Sequence, residues 1–239
     1  MGGFLSLAGF CVQRMVKGVS TCSDVVRKKD VAVCPTVVPH DTMILPTTTT
    51  VPDGRHVTIS KATDRQISEL YVLVQEAARH GDGFGADEFP TEAHFRSEMQ
   101  DAKMLFVCEQ DSGKTLAVLV IALSKFFRGQ CVADPYIIVQ ADERRKGIGE
   151  FCFHTCVDYC KRLGFLGIYI DTFSNNLAMR RIVENTPGFR RVGILPMGGC
   201  LPDGSIVSSI VYHKDLRVPE CQGQQEMNGD LDLNPDPPS

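Results

Sequence analysis

From residue 57 onward the hydrophobic positions follow two periods. Val57-Thr58-Ile59 alternates as a half-buried strand does, whereas Ile67, Leu70, Tyr71, Val74 and Ala78 recur at the i, i+3, i+4, i+7, i+11 spacing of one helical face. Thr63 with Gln66 three residues later is a capping box that starts this helix, and Gly81 ends it. Gly81, Gly83 and Gly85 make a mobile, acidic loop, after which Thr91 caps a second short helix with Phe95 and Met99 on one side. Residues 104–108 and 115–123 are predicted strands around the turn Asp111-Ser112-Gly113, a β-hairpin. A strand over 131–139 feeds a glycine-containing loop and a helix over about 149–163, with Gly164 at its C-terminal end. Ile168-Tyr169-Ile170 is again a strand. Asn175 caps a helix to about residue 185, Pro187-Gly188 stops it, and strands follow over 190–195 and 206–213. The predicted order is β-α-α-β-β-β-α-β-α-β-β in one domain, 56–216, without internal repeats.

The flanks differ from this domain. Residues 1–20 are acid-free with Arg14 and Lys17, and Pro46 and Pro52 bracket a run from Thr47 to Thr50, so 1–55 reads as a mostly disordered leader and linker. Its opening Met1-Gly2-Gly3-Phe4-Leu5-Ser6 also fits a myristoylation pattern, and its acid-poor, basic character suits an organelle transit peptide. The expected location is cytoplasmic, with mitochondrial or N-myristoylated membrane-associated placement as alternatives. The polar, proline-bearing stretch 217–239 reads as a disordered tail.

Composition narrows the chemistry. The 25 Lys and Arg against 29 Asp and Glu give a net charge of −4, which argues against phosphate-backbone binding as the main task. The longest apolar runs, such as 116–123, are strand-sized and fall short of the ~20 residues of a membrane helix. Ten cysteines spread over 239 residues without a paired C-x-x-C arrangement read as reduced thiols.

The most informative segment runs from Ile137 to Gly149: a strand, then Gln140-Ala141-Asp142-Glu143, then Arg144-Arg145-Lys146-Gly147-Ile148-Gly149 opening a helix. Unpaired N–H groups at a helix N-terminus, the helix dipole and glycines that permit close approach make a phosphate site, and three basic residues add full charges. The segment lacks G-x-x-x-x-G-K-[ST] and the third glycine of a dinucleotide fingerprint, which disfavours ATP and NAD.

This R-x-x-G-x-G segment resembles the acetyl-CoA pyrophosphate loop of the GCN5-related N-acetyltransferase (GNAT) superfamily. The element order also matches that superfamily over 57–216, and Asn175-Asn176-Leu177-Ala178 with Gly188-Phe189 resembles its N-x-x-A…G-F segment. The resemblance implies an α/β (α+β) fold: a mixed, mostly antiparallel sheet of about seven strands with four helices, splayed between the fourth and fifth strands, here 131–139 and 166–172. It implies acetyl-CoA as co-substrate and no metal. It assigns Ile137 and Val139 main-chain contacts to the pantetheine arm, with an amide near Val139 facing the thioester oxygen, and Arg144, Arg145, Lys146, Gly147, Ile148, Gly149 and Asn175 to cofactor binding. The ending from Gly188 to Pro196 resembles relatives that acetylate small amines and amino acids, so the expected acceptor is a small-molecule amine, amino acid or polyamine-like, attacking directly in a ternary complex. Protein or peptide N-acetylation and a non-catalytic CoA-binding module are the alternatives.

An amine of pKa about 10.4 is neutral to only about one part in 10³ at pH 7, so a base is required. Asp171 is the first candidate, followed by Asp134 and by Asp87 or Glu88 in the glycine-rich loop, which also serve as substrate-binding candidates. On the leaving side, many members of the superfamily carry a tyrosine seven residues after the motif asparagine. Here that residue is Ile182, which leaves Tyr212 or Tyr169 as the candidate acid. Relatives that acetylate amino acids also carry an asparagine in the fifth strand, where this chain has Ile170.

Two other signals are discounted. Cys152, Cys156 and Cys160 line one helix face and cannot wrap a tetrahedral ion, so they read as core, with His154 on another side. Phe126-Phe127-Arg128 is a loop rather than a nucleic-acid patch. The expected partners are therefore the amine acceptor, with no nucleic acid, no stable membrane span, and a monomer or homodimer.

Overall fold

A computed structural model describes residues 44–81, 83–85, 88–126 and 131–217. The elements are β1 (Thr47–Thr50), β2 (His56–Lys61), α1 (Asp64–His80), α2 (Glu92–Glu98), β3 (Lys103–Glu109), β4 (Thr115–Leu123), β5 (Val132–Val139), α3 (Ile148–Arg162), β6 (Gly167–Phe173), α4 (Leu177–Asn185), β7 (Arg190–Cys200) and β8 (Ile206–Asp215). One eight-stranded sheet runs in the order β1-β2-β3-β4-β5-β6-β8-β7, antiparallel except between β5 and β6. This is the expected mixed, mostly antiparallel architecture with four helices.

Local signals account for the helices. At Thr63 the capping box is complete, with the hydroxyl accepting from the Gln66 N–H at 3.3 Å and the Gln66 side chain accepting from the Thr63 N–H at 3.0 Å. Gly81 closes α1 at φ 67, a left-handed conformation that glycine adopts without Cβ strain. α4 starts one residue later than expected: Asn176, not Asn175, is its N-cap, accepting from the Met179 N–H at 3.2 Å.

The eighth strand is β1, in a stretch expected to be linker. It pairs antiparallel with β2 from Thr47↔Ile59 to Thr50↔His56, and Val51 behind it is buried. Pro46 and Pro52 bracket this run without interrupting it, and four β-branched threonines suit a pleated edge. The remainder of the leader, 1–43, and the tail from 218 onward lie outside the described residues, as do the myristoylation and transit patterns.

Two cores flank the sheet. One packs α3 against β4, β5, β6 and β8 through residues such as Phe153, Cys156, Leu119, Ile168 and Tyr212. The other packs α1 and α2 through Leu70, Val74 and Phe95 against Phe106, Val118, Val120 and Ile138, and its buried strand members all come from β3, β4 and β5. Cys152, Cys156 and Cys160 are buried free thiols in the first core, and burial pushes the Cys152 thiol up to about 12. Cys108 and Cys200 are also free.

Candidate functional site

The site is built on a local failure of strand pairing. β5 pairs with β4 throughout Ala133–Val139, but with β6 only at Val132↔Gly167 and Ala133↔Ile168, while on its other edge β6 pairs with β8 along its full length, from Gly167↔Asp215 to Phe173↔Ser209. Because β1 precedes the expected strands, the splay expected between the fourth and fifth lies here between β5 and β6.

Strand alternation shows which main-chain groups enter this gap. Val132 offers its carbonyl to the Ser124 N–H on the β4 side, and the Gln140 N–H donates to Leu116 O at 3.0 Å on that same side. Even-numbered residues of β5 therefore turn their N–H and C=O toward β4, and odd-numbered ones turn toward β6. Cys131 agrees, its carbonyl accepting from the Leu166 N–H at 2.8 Å on the β6 side. By this parity Ile137 and Val139 point their main-chain groups into the gap. Pro135 has the same parity and no N–H, so it stands where the antiparallel ladder needs no donor.

At the end of β5 the chain makes a 3₁₀ turn over Ala141–Glu143 and enters α3 through two left-handed residues, Arg145 at φ 63 and Gly147 at φ 78. The N-terminal amides of α3 follow, with Ile148 buried in the first core. Arg144, Arg145 and Lys146 are exposed, and Lys146 Nζ lies 2.9 Å from the Glu143 carboxylate. A Cβ placed on Gly149 would sit 3.7 Å from both Val139 Cγ2 and Ile182 Cδ1, so the position expected to carry a tyrosine acid presents an apolar side chain to this loop. Asn175 is exposed, and its carbonyl accepts from the Leu177 N–H.

Three carboxylates lie on the sheet face that α1 and α2 cover over β3–β5. Asp134 is half-buried on β5. Its carboxyl is pushed up to about 7, first by burial and then by the nearby Asp171 charge, with Lys125 opposing. Glu88 is exposed as a residue, yet protein atoms crowd its carboxyl and raise it, while its Oε2 accepts from the Gly85 N–H at 2.9 Å. Asp171 on β6 is exposed, and its Oδ2 accepts from the Ser209 hydroxyl at 3.1 Å. The α1–α2 loop is pinned beside them, Phe84 meeting Tyr136 edge-on at 5.5 Å and Gln75 Nε2 donating to Phe89 O at 2.7 Å. Asp87 lies outside the described residues.

Tyr212 does not join this group. It pairs with Ile170 on the opposite face of the sheet, is buried against α4, and donates its hydroxyl to Glu184 Oε1 at 2.6 Å. Burial and the Glu184 charge raise its hydroxyl to about 12. The alternation of one strand thus places Tyr212 and Asp171 on opposite faces of the sheet. Tyr212→Phe is expected to leave turnover within about twofold of wild type while lowering Tm, since it removes a charge-assisted hydrogen bond. Steady-state rates and a thermal melt check this, and a tenfold loss of rate would return the hydroxyl to the reaction.

Comparison with known proteins agrees with this geometry. The sequence model of the Acetyltransferase (GNAT) family matches residues 67–189, just over half of the chain. The chain belongs to that family. Protein SPT10 of Saccharomyces cerevisiae is 29% identical over 155 residues, 63% of this chain but 24% of its own length, so the chain spans about a quarter of that relative. Among solved structures, yncA from Salmonella typhimurium, determined with its cofactor acetyl-CoA, superposes with TM-score 0.57 at 17% identity over 67% of this chain and 94% of its own. The ribosomal-protein-S18-alanine N-acetyltransferase of Escherichia coli gives TM-score 0.52 at 19% identity over 72% of this chain and 98% of its own. Among the described residues no helix is long and apolar enough to cross a membrane, and no group of His, Cys, Asp and Glu is arranged to hold a metal ion.

Proposed function

We propose that this GNAT enzyme acetylates an amine carried by a polypeptide, with Asp134 as the base that takes the amine proton. Acetyl-CoA supplies an acetyl group activated as a thioester. The main-chain groups of Ile137 and Val139 hold the pantetheine arm, the amide near Val139 faces the thioester oxygen, and Arg144, Arg145 and the loop amides meet the pyrophosphate.

The observation that carries the acceptor reading is the set of three carboxylates on one side of the opened β5–β6 gap. Glu88 and Asp171 attract an ammonium group. Asp134, retaining its proton until about pH 7, is matched to accept one near neutrality. The thiol of CoA, with a reference pKa of about 8.5, departs without a protein acid, which is consistent with Ile182 near the loop and Tyr212 turned away.

A polypeptide is favoured over a free amino acid or polyamine by what surrounds the carboxylates. The α1–α2 core stops at β5, and the same face continues across β6, β8 and β7 with Tyr169 and His213 half-buried and Asp171 and Leu195 exposed. An extended chain of several residues fits such a strip. The Escherichia coli structural neighbour is named for acetylating an alanine of a ribosomal protein, which supports the same class. A panel of peptides with free α-amines, peptides with an internal lysine, single amino acids and polyamines, assayed by CoA release, tests the reading. At least tenfold higher kcat/KM for a peptide is expected, and preference for a single amino acid or polyamine would overturn it.

A further inference from the structure

Two turns converge on the back of the cofactor loop. The β1–β2 turn is closed on itself, the Val51 N–H donating to Arg55 O at 3.0 Å and the Gly54 N–H to Val51 O at 2.9 Å, with Val51 buried beneath it. From this turn Pro52 reaches Gly147, where an added Cβ would lie 3.1 Å from Pro52 Cβ. Arg55 Nη2 lies 2.5 Å from Glu143 Oε2, and Asp53, 2.6 Å away, orients the same guanidinium. From the β3–β4 turn, Lys114 Nζ lies 2.5 Å from Glu143 Oε1 and 2.6 Å from Asp142 Oδ2.

Glu143 is therefore a buried carboxylate, 2% exposed, held by cations from two hairpins and by Lys146 of its own loop. A buried charge is tolerated only when paired and hydrogen-bonded, and removing one partner is costly because the remaining charge is left uncompensated. The loop it anchors needs this support. Arg145 occupies the left-handed region without being glycine, a conformation strained for an L side chain, so contacts from neighbouring elements help to hold the loop in this shape.

The geometry points to Arg55 as a positioning residue for acetyl-CoA: through Glu143, and with Pro52 as a second brace, it holds the 140–149 loop in the shape that presents its amides to the pyrophosphate. Arg55 and Pro52 lie N-terminal to the family-matched residues 67–189, so this brace belongs to the chain's own β1–β2 hairpin. Without Arg55, Glu143 keeps a less compensated negative charge beside a polyanionic ligand, and the loop loses the contact that fixes its backbone. Nothing in this depends on which acceptor is used.

The test uses the full chain with Arg55→Ala, Arg55→Lys and Pro52→Gly, titrated calorimetrically with acetyl-CoA and, in parallel, with S-acetylpantetheine, which lacks the pyrophosphate. Arg55→Ala is expected to weaken acetyl-CoA binding about tenfold through lost preorganisation, with S-acetylpantetheine affinity unchanged and amide exchange accelerated within 144–149. Arg55→Lys, keeping the charge, should recover part of the affinity, and Pro52→Gly should lose a smaller factor. A folded Arg55→Ala with wild-type acetyl-CoA affinity, or with equal losses for both ligands, would overturn the proposal. Should Arg55→Ala not fold, wild-type acetyl-CoA affinity in both other variants would do so.

Discussion

Asp134→Asn is expected to lower kcat by about 10²–10⁴-fold, the range for losing a positioned base, while acetyl-CoA affinity stays unchanged. Asparagine keeps the size of the side chain but cannot accept the amine proton. In the wild type, kcat/KM should rise with pH through about 7 as Asp134 ionises, and the variant should lack that limb. If the limb persists in Asp134→Asn and disappears in Asp171→Asn, the proton goes to Asp171 instead. Stability supplies a second readout with a defined sign. The folded carboxyl holds its proton to about pH 7, whereas the unfolded one releases it near 3.9. The folded state thus binds more protons between these values, and the wild type loses stability as pH rises through that window. Asp134→Asn removes this loss. Its Tm should exceed the wild-type value above pH 7 and match it below pH 4.

Gly147→Glu is expected to weaken acetyl-CoA binding at least a hundredfold without abolishing the fold. Gly147 stands at φ 78, where any Cβ is strained, and that Cβ would press on Pro52 at 3.1–3.2 Å. The glutamate also brings a negative charge to the mouth of a helix N-terminus that attracts phosphate. Three penalties therefore fall on the same loop, two of backbone shape and one of charge. Gly147→Ala separates them, since it keeps the strain and the Pro52 contact but adds no charge, and it should lose a smaller factor. Calorimetric titration with acetyl-CoA measures both variants. Unchanged affinity in Gly147→Glu would remove this loop from the cofactor site.

The legible parts of this protein were those encoded by neighbouring residues. The α1 capping box of Thr63 and Gln66, the left-handed Gly81 and the contiguous Arg144–Gly149 motif each depend on residues within one or two turns, so spacing alone revealed them. Placement of the helix-4 cap was one residue off because Asn175 and Asn176 are both good caps, and only the chain's exit from β6 selects the second. β1 was missed because its Thr47–Thr50 run lies between two prolines, and it became a strand only by pairing with β2.

By itself the sequence determined the domain type, the basic glycine-bearing loop that opens α3 and the order of elements from β2 onward, since short-range periodicity and one contiguous motif suffice for these. Tertiary structure alone decided which titratable groups share a space. Strand alternation turned Tyr212 to the α4 side and left Asp171 with Asp134 and Glu88, and burial beside a like charge raised the Asp134 carboxyl to about 7. Likewise the Arg55 brace on Glu143 joins residues 88 positions apart. Desolvation and Coulomb coupling depend on distance through the folded protein, and separation along the chain carries no record of that distance.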